Sequence, residues 1–131
     1  MSFRPGTDDT ATRRTAVHRG RRGETLAAWW LRLKGYRILD LGLKSPVGEI
    51  DIVACRGRTL AIIEVKARDS LRESAEAVTP RQRERIARAA RLFLGRHPAL
   101  AAHAIRFDVM LVTPGRWPRH IADAWQAGQE F

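Results

Sequence analysis

The chain has one cysteine, few lysines and no long apolar run, and each scarcity limits what it can be. Because Cys55 is alone, an internal disulfide and a cysteine-based zinc site are excluded, and a reducing, cytoplasmic compartment is expected. No apolar segment approaches the ~18 residues that cross a bilayer, and no apolar h-region follows the basic N-terminal residues. We therefore expect no membrane contact and no signal peptide.

Arginine, in contrast, is abundant. Only three of the 24 basic residues are lysines, and the formal net charge is +10. Such a charge predicts a polyanionic partner, with DNA or another nucleic acid as the first expectation. A GC-rich genome also enriches arginine without any ligand, so the charge alone leaves both explanations open. Residues 1–20 are polar and contain Pro5, Gly6 and Gly20, which predicts a flexible basic arm. The length of 131 residues predicts a single domain, over residues 21–131.

Periodicity and capping signals predict an α/β fold. The predicted elements are a helix at 22–34 ended by Gly35, strands at 36–41, 48–55 and 59–67, a polar loop at 68–78, a helix from Thr79 to Gly95, a strand at 105–112, and a weaker strand or short helix at 117–125. Thr79, Pro80 and Gln82 match a capping box with proline at the first helical position. The second helix is long enough for a right-handed crossover to a parallel fourth strand, which gives a mixed sheet of 4–5 strands.

The most informative segment is the hairpin formed by the second and third strands. Asp51 lies on the first of these strands, while Glu64 and Lys66 lie two residues apart on the next. A two-residue loop at Arg56-Gly57 places Asp51 opposite Ile62, and a four-residue loop from Arg56 to Thr59 places it opposite Glu64. Both registers keep the acids on one face, with Cβ atoms roughly 5–8 Å apart.

Two carboxylates at this separation suit one hard cation such as Mg²⁺, which takes oxygen ligands in a nearly octahedral shell. Lys66 would add a positive charge beside the water or the phosphate that such an ion orients. The alternative is a structural ion pair between Glu64 and Lys66 on a solvated face. The apolar neighbours on that face and a third carboxylate, Glu49, favour the cation site, because clustered like charges destabilise a fold without a counter-ion.

Two helices carry further candidates. Glu24 points along the inward face of the first helix, with Ala27, Trp30 and Leu31 and the stems of Leu33 and Lys34, although an acid in a first helical turn is also favourable in itself. The second helix exposes an arginine array opposed by one acid, Glu84. From this array we predict phosphate contacts at Arg81, Arg85 and Arg88, the alternative being an ordinary solvated helix face.

These motifs resemble those of known families. Asp51 with Glu64-Val65-Lys66 resembles the PD-(D/E)-x-K site of the restriction-endonuclease-like fold, whose organisation archaeal Holliday-junction resolvases share. More closely, the chain resembles the YraN-like family of uncharacterised bacterial proteins. The matching segments are Gly23-Glu24, Ala27, Leu31, Gly35-Tyr36, Gly48-Glu49-Ile50-Asp51, Glu64-Val65-Lys66, Val78-Thr79-Pro80 and Arg106-Phe107-Asp108-Val109. The resemblance implies a three-layer α/β/α core in the order αβββαβ.

The resemblance also implies roles for residues of the hairpin. Asp51 and Glu64 would be metal ligands, with the Val65 carbonyl as a third, and the cofactor would be Mg²⁺ or Mn²⁺. Lys66 would position or activate the water. Glu24 would contact the metal through water or act as an auxiliary base.

Four further residues receive roles from the same resemblance. Glu49 belongs to the motif as an auxiliary residue that could hold a neighbouring arginine. Gln82 stands where the family often has lysine and is a second auxiliary candidate. Arg106 and Asp108 are interpreted as a structural pair on the core strand.

The expected activity is that of a Mg²⁺- or Mn²⁺-dependent endonuclease on DNA, with branched or damaged DNA in repair or recombination as candidate substrates. The alternative is a catalytically silent nucleic-acid-binding module on the same fold. A third hypothesis is a protein-interaction subunit that uses Trp29 and Trp30, of which one should face away from the buried stripe. A homodimer would supply two active sites for two DNA strands.

Overall fold

The computed structural model describes residues 23–67 and 78–128. It confirms the predicted α/β class: a mixed five-stranded sheet has one helix packed on each face. Helix α1 passes through residues 23–33, and the other elements are β1 (Arg37–Ser45), β2 (Gly48–Arg56), β3 (Thr59–Ala67), α2 (Pro80–Arg96), a 3₁₀ turn (Pro98–Leu100), β4 (Ala104–Val112) and β5 (Arg119–Trp125). The predicted arm at 1–20 and most of the predicted polar loop lie outside the described residues.

The strands follow one another across the sheet in chain order. β1, β2 and β3 form an antiparallel meander, β4 is parallel to β3, and β5 is antiparallel to β4. Helix α2 makes the crossover that joins the parallel pair, as its length predicts. The final element, left open as a strand or a short helix, is the edge strand β5.

The hairpin register decides where the acidic residues lie. Arg56 pairs with Thr59, so the turn consists of Gly57 and Arg58, one residue later than the shorter predicted loop. The paired residues extend from Arg56 and Thr59 to Ile52 and Ile63. Continuing the same register by one residue places Asp51 opposite Glu64. The pairing predicted from the longer loop is therefore the correct one.

Two apolar layers enclose the sheet because successive strand residues point to opposite faces. On one face Val53, Leu60 and Ile62 pack with Ile86 and Phe93 of α2, and we call this layer the α2-side core. On the other face, the α1-side core contains Ala27 and Leu31 of α1 together with Ile52, Ala54 and Ile63. Glu64 and Lys66 continue the alternation of Leu60 and Ile62 and so belong to the α2 side.

Helix α2 begins as its sequence predicts. The Gln82 N–H donates to Thr79 Oγ1 at 3.2 Å, and the Thr79 N–H donates to Gln82 Oε1 at 3.0 Å, which completes the capping box. The predicted end at Gly95 is wrong, because the helix continues to Arg96. His97 caps it instead: its Nδ1–H donates to the Phe93 carbonyl at 2.8 Å and its ring stacks on Phe93.

Two other expectations need correction. Strand β1 does not end at residue 41, because it stays paired with β2 as far as Ser45 and Gly48 and accommodates a positive φ at Gly42. Leu33 is not part of the buried stripe of α1; it is 73% exposed, since the inward face is formed by Ala27 and Leu31. In the described ranges, no helix is long and apolar enough to cross a membrane.

Candidate active site

The candidate site is the point where β2 and β3 stop pairing. There the Val65 N–H donates to Asp51 Oδ2 at 2.8 Å, so a carboxylate accepts the hydrogen bond that a backbone carbonyl of β2 would otherwise accept. The Glu64 carboxyl group lies against that of Asp51, and Lys66 Nζ lies 3.5 Å from Glu64 Oε2. The Lys66 and Glu64 side chains are only 13% and 16% exposed. The structure thus brings together three residues that the sequence motif singled out.

Electrostatics make this acidic pair unusual. Burial raises the pKa of Asp51, against the opposing effect of the Val65 N–H. Burial and, after it, the Asp51 carboxylate raise the pKa of Glu64 to about 8, which Lys66 only partly counteracts. The pair therefore retains one proton near neutral pH, with protonated Glu64 donating to Asp51. A bound cation would remove the need for that proton.

The acidic pair opens into a cleft of about 250 Å³ beneath α2. Its lining includes Gly48, Glu49, Gln82 and Arg85. At Gly48 an added Cβ would lie 2.7 Å from the Arg85 carbonyl oxygen, so only glycine lets the helix backbone approach the strand this closely. The glycine of the Gly-Glu-Ile-Asp motif therefore sets the distance between α2 and the acids. Glu49 is exposed at the rim, and Gln82 faces the same cleft while also capping α2.

Glu24 approaches from the other helix. Its Oε1 lies 3.8 Å from the position that a Cβ of residue 42 would occupy. Leu41 and Leu43 pair with Ile52 and Ile50, so Gly42 lies beside Asp51 in the sheet. Glu24 is therefore one strand away from the acidic pair, and its predicted role at the metal stays a prediction.

The donor set fits a magnesium-like ion but not a closed metal cluster. Within residues 23–67 and 78–128, no three His, Cys, Asp or Glu side chains converge on one point. Two adjacent carboxylates, together with the nearby Val65 backbone, match Mg²⁺, which keeps several waters and binds through one or two carboxylates and substrate phosphates. The predicted Val65 carbonyl ligand stays a prediction.

The predicted phosphate contacts on α2 are not equivalent. Arg85 lines the cleft, and Arg81 is exposed one turn earlier. Arg88 is bound to Glu84 at 2.6 Å and so has less charge to offer a ligand. Nucleic-acid binding by these three residues remains a prediction, with Arg85 the best placed.

A second polar cluster lies on the α1 side of the sheet. Asp108 is fully buried and accepts two hydrogen bonds from Arg106, at 2.9 and 2.8 Å, and one from His120 Nε2 at 2.7 Å. Lys34 Nζ donates to His120 Nδ1 at 2.6 Å, and Arg106 also donates to the Tyr36 hydroxyl. We call these five residues the Asp108 network.

Only part of the Asp108 network was predicted. The structure confirms the Arg106–Asp108 pair. Sequence reasoning missed Lys34, Tyr36 and His120, because they come from distant segments and His120 lies on the strand whose type was left open. The one available signal was His120 in the final element, with Asp108 on the neighbouring core strand.

Comparison with known proteins agrees with the motifs. The model of the "Uncharacterised protein family UPF0102" matches residues 23–112. The UPF0102 protein of Parvibaculum lavamentivorans is 55% identical over 116 residues, covering 88% of this chain and 87% of the relative. That of Chelativorans sp. is 48% identical over 122 residues, covering 93% and 98%. The chain therefore belongs to the UPF0102 family, the YraN-like family that its motifs resemble.

Proposed function

We propose that this protein is a metal-dependent endonuclease that hydrolyses phosphodiester bonds of DNA on a restriction-endonuclease-like fold. One observation carries the proposal: Asp51 and Glu64 are buried against each other with Lys66 beside them, in a cleft that also contains Arg85. A purely structural role would favour an acid with several donors rather than two acids in contact. The combination is instead suited to hydrolysis of a polyanion.

Asp51 and Glu64 would hold Mg²⁺ or Mn²⁺. When bound, such an ion supplies Lewis acidity and lowers the pKa of a coordinated water. Lys66 lies on the same face as both acids and orients the attacking water or stabilises charge on the phosphoryl oxygens. The Val65 N–H donates to Asp51 Oδ2 and so holds the Asp51 carboxylate in one orientation.

The surrounding residues supply substrate binding. Arg85 on the cleft wall would pair with the scissile or an adjacent phosphate, and Arg81 would extend the contact along the DNA backbone. Gln82 can donate to a phosphate oxygen from the first turn of α2. Each phosphate neutralised in this way should steepen the salt dependence of binding.

Cleavage of labelled DNA tests the proposal. Single-stranded, duplex, flap and four-way-junction substrates are incubated with Mg²⁺ or Mn²⁺ and the wild type, Asp51→Asn or Lys66→Met. We expect cutting of at least one substrate, with a loss of at least about 100-fold in both variants. The matched control is Glu84→Gln, an acid on α2 that is paired outside the cleft.

Two outcomes would contradict the proposal. Cutting that persists in Asp51→Asn would identify a contaminating nuclease. Binding of the panel without cutting by the wild type would assign the chain to the silent nucleic-acid-binding alternative.

A further inference from the structure

A large apolar groove lies at the ends of β3 and β4, on the side of the sheet opposite the acidic cleft. It has a volume of about 650 Å³. Its walls include Gly23, Leu26, Ala67, Val112, Thr113 and Trp117. The hydrolytic residues described above do not line it, so the groove requires a separate explanation.

Trp117 gives the groove a flat aromatic wall. The residue is 75% exposed, yet its ring is fixed by stacking on Trp30 with centroids 5.4 Å apart and planes inclined by 27°. The loop that carries it is held by the hydrogen bond from the Arg116 N–H to the Thr113 carbonyl at 3.1 Å. An exposed aromatic ring held in one orientation is a surface prepared for a stacking partner.

A hydrogen-bonding group is also present. The Thr113 Oγ1 is buried and has no hydrogen-bond partner among the described residues, although the residue lines the groove. A buried hydroxyl without a partner costs free energy, which a ligand in the groove would recover if the Thr113 side chain turned its hydroxyl towards it. Arg116 lies on the rim and adds a positive charge. The ligand should therefore combine a flat apolar body, a polar edge and an attached negative charge.

The groove reaches the end of β3, the strand that carries Glu64 and Lys66. A Cβ on Gly23 would lie 3.6 Å from Val65 Cγ1, so the start of α1 touches the residue between Glu64 and Lys66. Ala67, which follows Lys66 directly, is itself part of the groove wall. A chain that places one unit in the groove can thus pass its next phosphates over the end of β3 towards the acidic pair.

We propose that this groove binds an unstacked nucleobase, with Trp117 as the stacking surface and Thr113 as the hydrogen-bonding group. The inference rests on the proposed function and deepens it: the substrate would contain unpaired nucleotides next to the scissile phosphate. Inserting a base from an intact duplex would require unpairing and unstacking, which unpaired positions avoid. The net charge of +10 favours this occupant over an apolar peptide.

Binding without cleavage tests this inference separately from hydrolysis. Fluorescence anisotropy with a labelled single-stranded 12-mer and a duplex of the same length is measured in EDTA for the full-length wild type and its variants. We expect Trp117→Ala to weaken single-strand binding about 5- to 150-fold, the effect of losing one base–aromatic stack, and Trp117→Phe to retain most of it. Duplex binding should change less than twofold.

The control is Trp29→Ala, which removes a tryptophan that is 59% exposed on α1 and is not part of the groove wall. Circular dichroism melting verifies that each variant is folded. Equal losses for single strand and duplex, equal losses in Trp29→Ala and Trp117→Ala, or no binding by the wild type would overturn the inference. So would a dimer that Trp117→Ala converts to a monomer in light scattering, because a second copy would then occupy the groove.

The two proposals fail in different ways. Trp117-dependent single-strand binding without any metal-dependent cutting supports the groove and contradicts the nuclease. Cutting that requires Asp51 but is unaffected by Trp117→Ala supports the nuclease and contradicts the groove.

Discussion

The two faces of the sheet treat buried carboxylates in opposite ways. Asp108 on the α1 side receives hydrogen bonds from Arg106, from His120 and from the backbone N–H of Asp123. On the α2 side, Asp51 and Glu64 face each other, and their compensating contacts are the Val65 N–H at Asp51 and Lys66 at Glu64.

The pKa values reflect this difference. Burial alone would raise the pKa of Asp108, but the hydrogen bonds from His120, Arg106 and the Asp123 N–H lower it below its usual value. At the acidic pair, burial raises the pKa of Asp51, and burial together with the Asp51 carboxylate raises that of Glu64. A satisfied acid contributes to stability, whereas an unsatisfied pair is a site with unused binding capacity.

The largest expected effect on stability comes from removing the charge of Asp108, the carboxylate whose hydrogen bonds are satisfied. Asp108→Asn removes the charge that Arg106 and His120 surround, and removing one partner of a buried ion pair costs about 3–5 kcal/mol. Urea denaturation should show this loss in the free energy of unfolding. Asp123→Asn, a substitution of an exposed acid that leaves the backbone N–H in place, should change it by less than about 0.5 kcal/mol. An equally small effect at Asp108 would contradict the comparison.

The second expected effect on stability, at Glu64, is smaller and is a gain rather than a loss. Glu64→Gln relieves the repulsion with Asp51 at similar volume, so the metal-free protein should become more stable by roughly 3–8 °C in melting temperature. Differential scanning calorimetry at pH 8 in EDTA measures it. Glu84→Gln, which breaks an exposed pair with Arg88, should be neutral or slightly destabilising. A lower melting temperature in Glu64→Gln would mean that the acidic pair stabilises the fold.

The dependence on pH sharpens the contrast further. Because the pKa of Glu64 is raised in the folded state, its contribution is fully favourable at low pH and is lost as the pH rises towards about 8. The stability gain of Glu64→Gln should therefore be near zero at pH 5 and grow up to pH 8. The pKa of Asp108 is lowered, so its contribution is retained across this range and disappears only in stronger acid. A gain for Glu64→Gln that is constant with pH would contradict the account.

Sequence patterns predicted the parts of this molecule that depend on local signals. The capping box at Thr79, the third strand at 59–67 and the shared face of Asp51 and Glu64 all follow from spacing and composition. The length of the loop that fixes the hairpin register could not be predicted in this way, because Gly57 can occupy more than one position of a short turn. The Asp108 network joins residues up to 86 positions apart, such as Lys34 and His120, and no local pattern encodes such a contact.

The most direct test of the central claim is calorimetric titration with Mn²⁺ at pH 7, in two buffers that differ in ionisation enthalpy. If Asp51 and Glu64 form the cation site, the wild type should bind one ion and release close to one proton. Glu84→Gln should behave like the wild type, and Glu64→Gln should lose most of the binding. An unchanged isotherm in Glu64→Gln, or no binding by the wild type, would contradict the assignment of this pair as a metal site.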